Sequence, residues 1–300
     1  MSAIAETAAG TRRRSGYFSN PWRKPRFLQA TTILYLLWSL VPVVIAVVFS
    51  FNDGRSRISW QGFSMRWWTQ DPTDSILHDP AIRAAVVQTY RLAIITVLIT
   101  VPLGTLFAIG IHRWHGRPAR IANFTMLLSF VVPEIILGVS LFILFTTLFK
   151  EYIQLGTGAQ ILGLAAFQLS YPTIIVRARL LSIGPAYEEA AMDLGGSPGQ
   201  AIRRVLLPLL APAIMASVAL VFADSVDDFV TVAALSGPAS SETLAQAIYS
   251  AARSSPTPEV NAAATVMLVS TLLMITVGYA IYKRATRGQD MGGASDFMQI

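Results

Sequence analysis

Six stretches of this chain are apolar for about as long as a helix needs to cross a bilayer, and no other feature limits its fold as much. They run over 27–51, 85–111, 121–149, 159–176, 209–235 and 262–282. A helix crosses the hydrocarbon layer with about 20 apolar residues, and in lipid every backbone polar group has to be satisfied within the structure. The composition agrees: 53% of the residues are hydrophobic and only 13% are charged, against roughly a quarter charged in soluble proteins. The expected fold is therefore all-α, a polytopic membrane protein of six transmembrane helices forming one domain over 27–284. The first run is longer than a signal-peptide core and no small-residue cleavage site follows it, so it is expected to stay as an anchor in the cell membrane. Pro133 and Pro172, interior to the third and fourth runs, are expected to kink them.

A net charge of +6 raises the question of nucleic acid, and the placement of the basic residues answers it. With the N-terminus inside, inner segments hold sixteen Lys and Arg and outer segments hold six. That bias is the positive-inside pattern. It places the basic tail 1–26, the segment 185–208 and the C-terminal tail 285–300 in the cytoplasm, and it accounts for the charge without nucleic acid. The chain has no cysteine, which excludes disulfides and thiolate metal sites. Its three histidines, His78, His112 and His115, form no metal-binding pattern. The Trp60, Trp67 and Trp68 side chains of the first outer segment are expected as interfacial anchors.

Between the fourth and fifth runs lies a polar, glycine-broken island, Glu188 to Pro208, reading EEAAMDLGGSPGQAIRRVLLP. Pro185 suits a first helical turn, and Glu188 and Glu189 sit where the helix dipole favours negative charge. Gly195 and Gly196 stop that helix, and Ser197 followed by Pro198 starts a second one. This second helix carries Arg203 and Arg204 into the fifth run at Pro208. So compact and polar an element is a candidate docking surface rather than a span, the alternative being an interfacial helix pair that links two spans.

The spacing Glu189-Ala190-Ala191, three residues, Gly195, nine residues, then Val205-Leu206-Leu207-Pro208 resembles the EAA loop of bacterial ABC-importer permeases, with Val205 in place of the usual isoleucine. Further patches resemble the second permease subunit of spermidine/putrescine importers: Trp60-Gln61-Gly62-Phe63, Val132-Pro133-Glu134-Ile135, Ser225 to Val230, Ser236-Gly237-Pro238, Ala247 to Ser250 and Pro258 to Ala262. The resemblance implies that Glu188, Glu189, Ala190, Ala191, Gly195, Leu207 and Pro208 belong to a coupling loop that docks on a cytoplasmic ATPase. It also implies a second permease subunit, favouring a heterodimer, and an extracytoplasmic solute-binding protein. The chain has no GxxxxGK[ST] phosphate loop, so it is expected to be no enzyme and to hold no cofactor, with ATP bound by the partner.

Four acids lie inside the apolar runs: Glu134 in the third, and Asp224, Asp227 and Asp228 in the fifth. Such residues face the protein interior, a water-filled path or a partner. The three aspartates are expected on one face of a continuous helix, near Ser217 and Thr231. At about 1.5 Å per residue, Asp224 and Glu134 lie roughly 22 and 20 Å from the inner ends of their spans, at matching depth. Two readings stay open for them. They form a substrate path suited to the ammonium groups of a polyamine, or they bond to backbone, Ser, Thr or basic residues and hold the helices in register. For the whole chain the readings are likewise a polyamine importer, an importer of another small organic solute, or a stand-alone channel or carrier. An intramembrane protease is disfavoured by the absence of HExxH and GxGD motifs.

Overall fold

A computed structural model describes residues 26–56, 59–114, 116–254 and 258–285. The expected terminal tails, apart from Arg26 and Ala285, lie outside the described residues, as does His115. The chain divides into two units, 1–45 and 46–300. The first contributes most of helix α1 (Arg26–Phe49), whose residues 27–45 are exposed throughout. The hydroxyls of Thr31 and Thr32 bond back to carbonyls one turn earlier, which leaves an apolar surface all round the helix.

The second unit is built around α2 (Pro80–Arg113). Asp79 caps its first turn by accepting from the amides of Ala81 and Ile82, with Pro80 behind it. Its buried stripe is made of small and β-branched residues, Ala85, Thr89, Ala93, Thr96, Thr100, Gly104 and Ala108. Small residues let helix backbones approach closely where lipid gives no hydrophobic drive. At Gly104 a Cβ would stand 2.4 Å from the ring of Pro172. α6 (Ser170–Ile183) and α9 (Leu207–Asp227) pack on this stripe and on each other, and α12 (Pro258–Ala285) packs on α9.

Among the described residues five helical stretches are long and apolar enough to cross a membrane, and a sixth is broken. The expected third span divides into α3 (Arg117–Val131) and α4 (Glu134–Thr147), bent by 106°. Pro133 has no amide hydrogen to give, and the residue before a proline is pushed out of helical geometry. Val132 is accordingly extended, with φ −63° and ψ 128°. What the sequence suggests as a kink is a corner. The fourth span covers Thr157–Ile183, longer than expected, as α5 (Thr157–Gln168) and α6 separated at Leu169. Pro172 cannot donate to the Gln168 carbonyl four residues back, which places the interruption there. Arg177 and Arg179, beyond the expected end of the fourth run at 176, therefore belong to α6. Arg177 donates to Asn123 on α3, and Arg179 donates to the Leu209 carbonyl at 3.4 Å.

The fifth span also differs. α9 stops at Asp227, and α10 (Val230–Ala234) begins after a break at residues 228–229. The segment 236–261, between the expected fifth and sixth spans, contains a further helix, α11 (Leu244–Ser254), whose Leu244, Ala247 and Ile248 pack with Ala85 and Ala263.

The α1–α2 connection is ordered from within. Trp67 is fully buried and donates through Nε1 to the Asn52 carbonyl at 2.7 Å. Asn52 in turn bonds the carbonyls of Ser56 and Ser59 and the amide of Gln61. Trp67 is thus a core residue of the connection and not an interfacial anchor, while Trp60 keeps about half its surface exposed. Asp71 accepts from the amides of Asp74 and Thr73 and from the Arg66 guanidinium, and these donors hold its carboxyl well below the usual carboxylate range. A depressed carboxylate stabilises the fold above its unfolded value of about 3.9 and loses that effect as the pH falls further. Limited proteolysis checks both points. Trp67→Ala removes a buried aromatic worth about 3–5 kcal/mol and should open residues 50–79 to cleavage. In the unmodified chain, resistance there should persist at neutral pH and fall only below about pH 4.

Candidate functional site

The three helix breaks meet at the acids. Asp224, in the last turn of α9, accepts from Gln168 Nε2 at 2.8 Å and from the Tyr171 hydroxyl at 3.4 Å. Gln168 is the last residue of α5, and its other amide atom, Oε1, accepts from Ser225 at 2.7 Å. Tyr171 is held by edge-on contacts with Phe130 of α3 and Phe167 of α5. Glu134 opens α4, where the helix dipole favours its charge, and accepts from Thr231 of α10 at 3.3 Å. Asp228 is buried and accepts from the Val232 amide at 3.1 Å. Asp228 lies in the field of Glu134, and Asp224 in that of Glu134 and Asp227.

The expected meeting of Glu134 with the aspartates therefore occurs, and the expected helix face does not. Asp224 and Asp227 share α9, but the chain turns away at Asp228, whose carboxyl reaches forward to the Val232 amide of α10. Two glycines make room for that turn. A Cβ on Gly138 would stand 3.3 Å from Ala234 Cβ, and one on Gly163 would stand 2.3 Å from the Leu235 side chain and 3.0 Å from Thr231. α10 is thus wedged between α4 and α5, which carries Thr231 onto Glu134. Gln160, fully buried on α5, fastens the other side of α10 through the Val232 carbonyl and the Ser236 hydroxyl, both at 3.1 Å.

Among the described residues the ion pairs are Arg55–Asp74, Arg66–Asp71 and Arg113–Glu188, and none includes the four acids. Asp227 is exposed, whereas Glu134, Asp224 and Asp228 are wholly or partly buried, and carboxyls gathered in a poorly solvating medium without a basic partner repel one another and attract cations. Sequence reasoning missed Gln168, Tyr171, Gly138 and Gly163. A lone glutamine in the apolar stretch AAFQLSYP was a usable signal, since amides inside spans bond across helices.

At the other end of α9 the island takes the expected form. α7 (Ala186–Asp193) is followed by a Gly195 with φ +86°, a conformation glycine adopts without strain. Gly195 donates to the Met192 carbonyl and Gly196 to that of Ala191, a Schellman closure. Ser197 and Gln200 form a capping box for α8 (Pro198–Ala201), and a π turn at Ile202–Leu206 leads into Leu207 and Pro208 of α9. Glu188 pairs with Arg113 at the end of α2. Glu189 and Ala190 are exposed and Ala191 half-buried, and Tyr187, Met192 and Leu194 are exposed apolar side chains, Leu194 at 90%. Arg203 and Arg204 line a hollow of about 530 Å³ with Ser197, Gly199 and Gln200. Beneath the island, Leu206 and Leu210 pack with Ala108, Val176 and Leu180.

Comparison with known proteins gives a consistent picture. The family described as "Binding-protein-dependent transport system inner membrane component" matches residues 100–289. The spermidine/putrescine transport system permease protein PotC of Escherichia coli (strain K12) is 32% identical over 248 residues, which are 83% of this chain and 90% of PotC. The putrescine transport system permease protein PotI of the same strain is 30% identical over 273 residues, 89% of this chain and 93% of PotI. Among solved structures, a bacterial ABC transporter involved in the import of the acidic polysaccharide alginate superposes with a TM-score of 0.70 at 17% identity, covering 87% of this chain and 96% of that one. That likeness is one of fold.

The wedge explanation of the acid set is open to test on the purified protein. Gly138→Leu should force α10 away from α4 and lower the thermal unfolding midpoint, an overpacking effect of about 1–3 kcal/mol, whereas Gly138→Ala should cost less. Equal midpoints for the leucine variant and the unmodified chain would show that α4 and α10 do not need the close approach.

Proposed function

Since the chain belongs to the binding-protein-dependent transport system inner membrane components, we propose that it is the permease subunit of an ATP-driven importer of polyamines. The observation that carries this reading is the acid set of Glu134, Asp224, Asp227 and Asp228, gathered at three helix breaks with no basic partner among the described residues. Its relatives' names, spermidine/putrescine and putrescine transport permeases, support the solute class. Each ammonium stripped of water needs charge-assisted hydrogen bonds in return, worth about 1.5–3 kcal/mol apiece, and spaced carboxylates supply them to a molecule that carries several.

The protein is a multi-pass inner-membrane component with no phosphate-binding loop of its own. The energy therefore comes from an ATP-binding subunit, and the island receives it. The excess of lysine and arginine supports a cytoplasmic position for the island and both termini. Tyr187, Met192 and Leu194, exposed on a short polar-flanked element, form the kind of apolar patch that docks on another protein. A push on α7 passes to α2 through the Arg113–Glu188 pair and to α9 through the π turn and the packed Leu206 and Leu210. α9 ends at Asp224 and Asp227. A second permease subunit completes the membrane pore as a heterodimer, and a solute-binding protein delivers the polyamine at the opposite face.

Two groups of variants test the two ends of this path. Asp224→Asn and Asp228→Asn should lower polyamine uptake by the assembled transporter about tenfold while leaving assembly intact, and unchanged uptake in both would remove the acids from the path. Gly195→Pro forces a residue locked near φ −65° into a position that needs +86°. Together with Glu189→Lys it should disconnect ATP hydrolysis from uptake without altering solute capture by the binding protein. Transport that survives both would exclude the docking role.

A further inference from the structure

Beyond the acids, where the chain turns out of α9, an aromatic pair carries a cation of the protein's own. Phe229 follows Asp228 directly in the break between α9 and α10. Its ring lies 4.6 Å from that of Tyr249, centroid to centroid, with the planes inclined by 43°. Tyr249 stands on α11, and one turn later on the same helix the guanidinium of Arg253 sits 4.5 Å from the Tyr249 ring centroid. A cation within about 6 Å of an aromatic centroid is held by the ring's quadrupole.

The placement is rigid on one side and open on the other. Leu244, Ala247 and Ile248 fix α11 against Ala85 and Ala263, and Gln246 donates to the Ser236 hydroxyl at 2.8 Å. Tyr249 itself keeps 42% of its surface exposed, and Arg253 is exposed. Arginine stays charged under all physiological conditions, so the ring is never without a competitor that the protein carries on the same helix.

We propose that Tyr249, backed by Phe229, is a cation-binding station at the approach to the acid set, and that Arg253 is a tethered competitor which an incoming ammonium group must displace. This rests on the reading that the cargo is a polyamine. It adds a selection by charge number. A solute with a single positive charge gains only the ring face it takes from Arg253, and it meets the repulsion of the displaced guanidinium. A chain with two or more ammonium groups can hold the ring with one and reach toward Asp227 and Asp228 with another, and its methylenes lie against Phe229.

The test separates this station from the function it rests on. Tyr249→Trp placed in Arg253→Gln provides a reporter, read against Arg253→Gln alone to subtract the six native tryptophans. In the purified permease, putrescine should change the reporter's fluorescence and its uncharged counterpart 1,4-butanediol should not. Restoring Arg253 should raise the half-saturating putrescine concentration about two- to fivefold, the scale of a cation–π contact at an exposed site. In proteoliposomes holding the complete transporter, Tyr249→Leu should reduce putrescine uptake by a similar factor. A reporter unmoved by putrescine, or a half-saturating concentration indifferent to Arg253, overturns the station even if the unmodified transporter accumulates putrescine. If the reporter titrates while the unmodified transporter fails to accumulate putrescine, the station stands and the assigned cargo falls.

Discussion

A carboxylate placed inside an apolar helical bundle needs hydrogen-bond donors, and an intact helix has none to spare because its backbone amides are already used. The acid set is supplied by breaking helices. The corner at Val132–Pro133 puts Glu134 at the start of α4. The interruption at Leu169 leaves Gln168 and Tyr171 on either side of it, both turned to Asp224. The break at Asp228–Phe229 lets Asp228 reach the Val232 amide and brings Thr231 to Glu134. Irregular backbone at membrane depth is tolerated only where it is buried in protein or lines a cavity, so the corner at Val132–Pro133 and the break at Asp228–Phe229 belong inside the protein or on a cavity, and the acids with them.

The remaining architecture holds those breaks in register. The small-residue stripe of α2 draws α6 and α9 together, with Gly104 against Pro172 at the closest approach. Gly138 and Gly163 admit α10 between α4 and α5, and Gln160 fastens it. From the island, a single run of packed side chains leads through Leu206 and Leu210 to the same α9 that ends at the aspartates. The island and the aspartates are therefore joined through one helix, α9, and its far end continues through Phe229 to the ring of Tyr249.

Much of this was legible because the signals are local. The island could be read turn by turn: Pro185 before α7, Gly195 where φ must be positive, and Ser197-Pro198 at the next start all act within a few residues. Pro133 marked the break in the third span, and counting residues brought Glu134 level with Asp224. What escaped depends on contacts distant in sequence. Nothing in VDDFVTVAAL shows that the helix stops at Asp227, since the apolar pattern runs on; the stop depends on α4 and α5 receiving α10. α11 was hidden in a segment rich in Ser, Ala, Pro and Thr, and its apolar edge makes sense only against Ala85 and Ala263. The expected fourth run stops at 176, short of Arg177, because the partner that lets Arg177 stay in the helix, Asn123, lies on another helix.

The central claim is that this chain passes polyamines across the membrane at the expense of ATP hydrolysed elsewhere. Its most direct test is uptake of radiolabelled putrescine by proteoliposomes that contain this permease with its sister subunit, ATPase and binding protein. The account predicts accumulation that requires ATP on the island side and binding protein on the other, and that unlabelled spermidine competes away. Accumulation without ATP, or none with every component present, would contradict it.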